Sequence, residues 1–183
     1  WCQLSHDRAL LELIESGVDI HKFVASQAFG KPIEEVTKNE RQVAKDILFG
    51  LMYGRGAKSI VEEMHLNGIL DFTVTDGERI IQTIFRMFPI AKKWIDDTHR
   101  FCEQTGYVVN YFGRRRRLPN VWSTDKEKRA EALRQSANAP IQSSSSDMLS
   151  LKTIGMQKHL KDFQKRLDPR IRVVLSIHDA VFI

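Results

Sequence analysis

Apolar positions along most of this chain recur at intervals of three and four, the period of a helix with one buried face. Residues 7–15 (DRALLELIE) read as a short helix that stops near Ser16-Gly17. Asp19 is placed to cap a second helix through HKFVASQAF, closed by Gly30-Lys31-Pro32. Thr37 opens a third: T-K-N-E has the form of a capping box with Glu40 three residues after the cap, and the helix runs to about Tyr53-Gly54. Residues 57–66 and 76–104 are predicted helical, with Thr75 or Asp76 as the cap of the latter and Pro89 breaking it. At Gly106 the period changes. GYVVNYFGRRRRLP has the aromatic and β-branched content of a hairpin, with Gly113 near the bend. Helix formers return over 125–138, Pro140 is expected to interrupt them, and DMLSLKTIGMQKHLKDFQKRL continues as a long helix to Asp168-Pro169. The serines at 143–146 are flanked by helical pattern on both sides, so they read as a helix face rather than a linker. IRVVLSIHDAVFI is strand-like, with the polar pair His178-Asp179 in its middle. The pattern contains no internal repeat, and the class it predicts is an α-rich α+β fold.

The helix after Thr37 carries two stripes. At about 100° per residue, Val43, Ala44, Ile47, Leu48, Leu51 and Met52 fall in one arc, the predicted core face. Arg41, Lys45, Phe49 and Tyr53 are each four apart and drift only about 40° per step, forming a separate stripe. Two cations sit at one end of it and two aromatic rings at the other. An ordinary amphipathic helix with a mixed outer face would account for the charges. Large rings outside the core arc, however, must still be covered, and a base or sugar would cover them while the cations met phosphates.

Composition narrows the classes. Hydrophobic residues make up 42% of the 183 and charged residues 28%, enough apolar surface for a core and not the composition of a disordered chain. No apolar run approaches the roughly 20 residues of a membrane span, and no basic-then-apolar leader opens the chain. Starting at Trp1 without a Met and stopping inside an apolar run, the sequence reads as a piece of something larger. The two cysteines, Cys2 and Cys102, are too few for a disulfide framework, and the six histidines lack metal-site spacing. The formal net charge of +5 is matched by residues 86–117, where eight Lys/Arg face three acids. Clustered cations of this kind suit a polyanionic partner, although a solvated basic face would look the same.

At this point specific motifs accumulate. RQVAKDILFGLMYG resembles motif B of the family A DNA polymerases, R-x3-K-x3-F/Y-x3-Y-G. In the same order, DIH at 19–21 resembles the segment before that helix, and GYVVNYFGRRRRLP the family's G-Y-V-x-T-x-x-G-R-R hairpin. RQSANAPIQSSSSDML resembles R-A-x-x-N-A-P-x-Q-G-T-A-A-D, and SIHDAVF resembles motif C, normally H-D-E at a strand turn. The resemblance covers essentially the whole chain. QLSHDRALLELIESGVDIH resembles the stretch just after motif A, so motif A with its metal-binding Asp is expected upstream of Trp1.

The resemblance implies the fingers (residues 1–125, with the motif B helix at about 38–54) and part of the palm (126–183) of a right-hand polymerase. It implies template-directed addition of deoxynucleoside triphosphates to a primer 3′-end, aided by two Mg²⁺ ions, with primer–template DNA as partner. By the same carry-over Asp179 would hold metal, Arg41, Lys45 and His21 would bind the triphosphate, and Lys45 would protonate the leaving pyrophosphate. Phe49 would pack on the incoming sugar and base, and Tyr53 would sit at the template position. Lys128, Arg129, Arg134, Asn138 and Gln142 fall on positions that hold primer–template, and His178 beside the primer terminus. A plain hairpin-turn Asp and solvated helix charges remain the alternatives for Asp179, Arg41 and Lys45. The arginine run at 114–117 is expected to be a basic surface facing DNA. The implied setting is the cytoplasm of a bacterial or phage-infected cell, without a membrane association. Two departures stand out: Ala180 replaces the motif C Glu, and the serines at 143–146 replace G-T-A-A. A single-subunit RNA polymerase shares the palm and a Lys…Tyr-Gly helix, but Phe49-Gly50 and NAPIQ resemble the DNA enzymes. Ala180 also suggests a catalytically lapsed DNA-binding relative.

Overall fold

The computed structural model describes residues 1–66, 68–166, 175–177 and 180–182. Helices α1 (Cys2–Ser5), α2 (Arg8–Glu15), α3 (Ile20–Phe29), α4 (Lys38–Met52), α5 (Ala57–Leu66), α6 (Val74–Met87) and α7 (Pro89–Thr105) come first. A hairpin of β1 (Tyr107–Val109) and β2 (Arg115–Arg117) leads into α8 (Lys126–Arg166), followed by β3 (Leu175–Ile177) and β4 (Ala180–Phe182). The α-rich α+β class expected from the periodicity is the one observed. The short helix α1 and two 3-10 turns, Ile33–Glu35 and Pro119–Trp122, were not among the predicted elements, being too short to show a period.

Helix boundaries follow local chemistry. Asp7 caps α2, accepting from Leu10 N–H at 3.2 Å through Oδ1. Its Oδ2 accepts from Ala91 N–H at 2.9 Å, so one carboxylate, 1% exposed, ties the start of α2 to the first turn of α7. The capping box before α4 forms in full: Thr37 Oγ1 accepts from Glu40 N–H, and a Glu40 carboxylate oxygen accepts from Thr37 N–H at 2.9 Å. The expected cap of the next long segment is corrected. Thr73, not Thr75 or Asp76, caps α6, and Asp76 is the reciprocal partner that accepts from Thr73 N–H. Pro89 breaks the segment as predicted and then starts α7, where its missing N–H costs nothing.

Two cores result. The first gathers apolar faces of α2 to α7, with Val24, Ile47, Ile60, Ile80, Ile84 and Phe88 at most 2% exposed. Val43, Ala44, Ile47, Leu48 and Leu51 of the predicted α4 arc are buried, while Met52 at its edge is half-buried. The second core lies under the hairpin, where Cys102, Val108, Leu118 and Val121 pack on Ala132 and Ala139 of α8.

Pro140 does not interrupt: α8 runs unbroken through it for 41 residues. Proline removes its own N–H bond and crowds the carbonyl four residues back, a cost of about 3 kcal/mol in an isolated helix. Here the hairpin grips the helix on both sides of the proline. Val108 and Leu118 cover Ala132 and Ala139 before it. Beyond it, Ser144 Oγ accepts from Tyr111 N–H at 3.0 Å, and Asp147 pairs with both Asn110 and Arg114. The serine run is thus a helix face, as read, with Ser144 holding the hairpin tip. β1 and β2 pair antiparallel with Val108 opposite Arg116, and β3 and β4 with Ile177 opposite Ala180.

Candidate nucleotide and nucleic-acid site

The stripe expected on α4 forms next to the first turn of α3. Arg41 and Lys45 are half-buried, whereas Phe49 and Tyr53 keep 40% and 44% of their surface exposed, unusual for rings flanking a core. His21 lies 5.9 Å from Phe49, ring to ring, and Lys45 Nζ is 6.0 Å from the same ring, within cation–π range. Arg41 Nε–H donates to Asp19 Oδ2 at 2.7 Å. Four side chains expected at a nucleotide therefore converge between α3 and α4, with Asp19 as an addition.

The electrostatics of this group are coupled. Burial pushes the His21 imidazole below its ordinary pKa, and Arg41 and Lys45 add to the effect against Asp19 and Asp46, so His21 is neutral at pH 7. Its Nδ1 is buried with no hydrogen-bond partner among the described residues. Burial by itself would raise the Asp19 carboxyl, but hydrogen bonds from Arg41 and from the N–H groups of Lys22 and His21 hold it below the usual range. The surface thus offers two cations and a neutral imidazole beside an open ring.

At the other end of the stripe, Tyr53 lines a cavity of about 460 Å³ together with Arg134, Asn138 and Glu131 of α8. Gly54, also in its lining, approaches α8 closely. With φ of +70° the chain turns left-handed there, and a Cβ at this position would lie 3.0 Å from Arg134 Cα. Gln142, two turns beyond Arg134, lines a second cleft of about 370 Å³ with Arg114, Arg115 and Arg116. All three strand arginines of β2 are exposed, as a basic surface requires. Arg115 stacks over the Tyr107 ring at 5.0 Å, and Arg116 donates to Gln135 at 3.2 Å. Lys128 and Arg129 stand at the start of α8, paired with Asp125 and Glu103 respectively.

His178 and Asp179 lie outside the described residues, between two strands that do pair. Among the described residues no cluster of His, Cys, Asp or Glu could hold a metal ion, so they do not themselves build a metal centre. Nor, among those residues, is any helix long and apolar enough to cross a membrane. Sequence reading missed Asp19 as the anchor of Arg41, Glu131 as the partner of Arg134, and Asp147 as the clamp on Arg114. The spacing of three between Glu131 and Arg134 on a helix was a usable signal. The others join residues 22 and 33 apart, which no local pattern shows.

The stripe on α4, the arginine hairpin and the clefts along α8 are thus all present in the fold. The family model for DNA polymerase family A matches residues 1–183, and the chain belongs to that family. Among relatives, it is 36% identical over 171 residues to a DNA polymerase of Bacillus phage SP01, covering 93% of this chain and 18% of that protein. It is 32% identical over 178 residues to DNA polymerase I of Chloroflexus aurantiacus, covering 97% of this chain and 18% of the relative. The chain therefore spans about a fifth of the length of these relatives. Among solved structures, the polymerase domain of Pol1 from M. smegmatis, in complex with DNA primer–template and dNTP, superposes with a TM-score of 0.80 at 31% identity. That match covers 98% of this chain and 30% of the other. The right-hand polymerase fold expected from the motifs is thereby shown.

Proposed function

We propose that these residues serve template-directed DNA synthesis, as the fingers (1–125) and part of the palm (126–183) of a longer polymerase. The observation that carries the reading is the convergence of Arg41, Lys45, His21 and Phe49 on one surface of a family A chain. On this reading a deoxynucleoside triphosphate lies along α4. Arg41 and Lys45 meet its phosphates, and the Lys45 ammonium supplies the proton that the leaving pyrophosphate takes up. His21 meets the phosphate tail, and Phe49, 5.9 Å from it ring to ring, covers the sugar. Tyr53 flanks the template base at the cavity shared with Arg134 and Asn138.

Primer–template DNA then runs along α8. Lys128 and Arg129 exchange Asp125 and Glu103 for phosphates, giving affinity without sequence preference. Arg134 and Gln142 reach minor-groove acceptors, which all base pairs present, so any sequence can be copied. His178 stands by the primer terminus. Two Mg²⁺ ions, held by Asp179 and a carboxylate from outside residues 1–183, would stabilise the attacking and leaving oxygens. Primer extension is accordingly expected of the longer polymerase and not of residues 1–183 alone. A setting in the cytoplasm of a bacterial or phage-infected cell accords with the sources of the relatives.

The test is single-turnover incorporation by the longer chain. Lys45→Ala should slow the chemical step by about 10²–10⁴-fold, the usual value of general-acid help, with primer–template affinity nearly unchanged. Weaker DNA binding with an unchanged chemical step would make Lys45 a DNA-backbone contact. A wild-type chain that binds DNA yet incorporates neither ribo- nor deoxynucleotides would instead support the lapsed relative that Ala180 suggests.

A further inference from the structure

The Asp19 carboxylate divides its two oxygens between two tasks. Oδ1 accepts from the N–H groups of His21 at 3.0 Å and Lys22 at 3.1 Å, which completes the cap of α3. Oδ2 takes no part in the cap and receives Arg41 Nε–H at 2.7 Å, across 22 residues of sequence. A cap alone would be satisfied by Oδ1, so the second oxygen calls for another explanation. Arg41 presents five N–H donors, of which Asp19 engages the one on Nε. None of the described residues accepts from either terminal nitrogen. The outer edge of the guanidinium, the edge that binds phosphate oxygens two at a time, is therefore left open. Both partners keep about a third of their surface exposed, so the pair sits at the mouth of the site and not in the core.

From this geometry we infer that Asp19 is the positioning residue of the triphosphate clamp. One carboxylate holds Arg41 by its inner N–H and fixes the turn that carries His21, so both phosphate-facing groups are oriented before a nucleotide arrives. The inference rests on the reading of the α4 surface given above and extends it to a residue that itself touches no substrate. The gain is pre-organisation: part of the rotamer entropy of a free arginine side chain would otherwise be lost at the moment of binding. An opposite role is physically conceivable, because a carboxylate beside a triphosphate repels it and could mask Arg41. The two roles predict opposite signs.

The experiment uses the longer polymerase, with the apparent dissociation constant for a deoxynucleoside triphosphate and the maximal rate taken from the concentration dependence of single-turnover incorporation. Asp19→Asn keeps an oxygen acceptor for the α3 cap, since Asn caps helices as well as Asp, but removes the charge that holds Arg41. It should raise the dissociation constant about fivefold, the size of a half-exposed charge-assisted pair, with the maximal rate within about twofold. Arg41→Ala should raise it further. Adding Asp19→Asn to Arg41→Ala should then have no additional effect, because Asp19 acts through Arg41. Unchanged or tighter nucleotide binding by Asp19→Asn overturns the inference. So does an effect that persists in full in the Arg41→Ala background, which would mark a cap and nothing more. Arg41→Ala with unaltered nucleotide affinity would sink the reading of the α4 surface itself, a result separable from the other two.

Discussion

Substituting Gly54 by alanine separates two costs that usually come together. Gly54 and Gly30 both turn the chain left-handed, with φ of +70° and +67°. An added Cβ in that conformation costs roughly 1–2 kcal/mol wherever it occurs. Around Gly30 nothing lies within 4 Å of where the Cβ would go, so Gly30→Ala bears that strain alone. At Gly54 the new carbon would sit 3.0 Å from both Cα and Cγ of Arg134. The Cα belongs to the backbone of a 41-residue helix and cannot swing aside as a side-chain tip would. Overpacking of this kind adds about 1–3 kcal/mol, and about 3 °C accompanies each kcal/mol in a domain of this size. Gly54→Ala should therefore melt about 3–9 °C below Gly30→Ala in thermal denaturation of the polymerase. Tyr53, Gly54 and Arg134 all line the cavity, so the shift needed to admit the new carbon should disturb it. Since a misplacement of about 1 Å can cost 10²-fold, single-turnover incorporation should fall about tenfold in Gly54→Ala and stay unchanged in Gly30→Ala. Equal melting temperatures and equal rates in the two variants would refute the idea that this close approach sets the cavity.

Phe49→Tyr should erase most of the discrimination against dideoxynucleotides, because a tyrosine hydroxyl supplies the polar contact that the missing 3′-hydroxyl would have made; competing single-nucleotide incorporation reads this, and a wild type that accepts both sugars equally would mean Phe49 does not face the sugar. Replacing Lys128 and Arg129 by alanine should each lower the slope of log affinity against log salt by about 1, with no change in sequence preference; an unaltered slope would place the DNA elsewhere. Glu40 sits below its ordinary pKa because of the hydrogen bond from Lys31, assisted by Thr37. Its folded-state pKa is depressed, so its contribution to stability is present above the unfolded value of about 4.3 and is lost as pH falls through the folded value. Glu40→Gln should lower the neutral plateau of the stability–pH curve and flatten its acid limb, whereas a parallel shift of the whole curve would contradict that origin.

What could be read from the sequence was what local geometry encodes. The two stripes of α4 and the Thr37–Glu40 box follow from spacings of three and four residues, and each appears in the structure as read. Pro140 was misread for the complementary reason. Local propensity says that proline ends a helix, but the hairpin supplies contacts on both sides of it, and those come from residues about 30 positions earlier. The same limit hid Asp19. As a cap it was visible from its place before a helix, while its second oxygen answers to a residue that only the packing of α3 on α4 brings near. Family motifs supplied roles for Arg41, Lys45 and Phe49 but were silent on the acids that pair with Arg134 and Arg129, since Glu131 and Glu103 lie outside the motif patterns.

The unbroken course of α8 through Pro140 makes that helix a ruler. Arg134, Asn138 and Gln142 are four residues apart and straddle the proline, so they project from nearly one face at steps of about 6 Å along the axis. Arg134 to Gln142 spans about 12 Å, close to the rise of three to four base pairs at about 3.4 Å each. A break at Pro140 would have lost the second step and kept the first. With the helix continuous through the proline, the three side chains form a comb of near-regular pitch, and on the proposed reading that pitch measures the newest few base pairs by their regular spacing instead of by their identity.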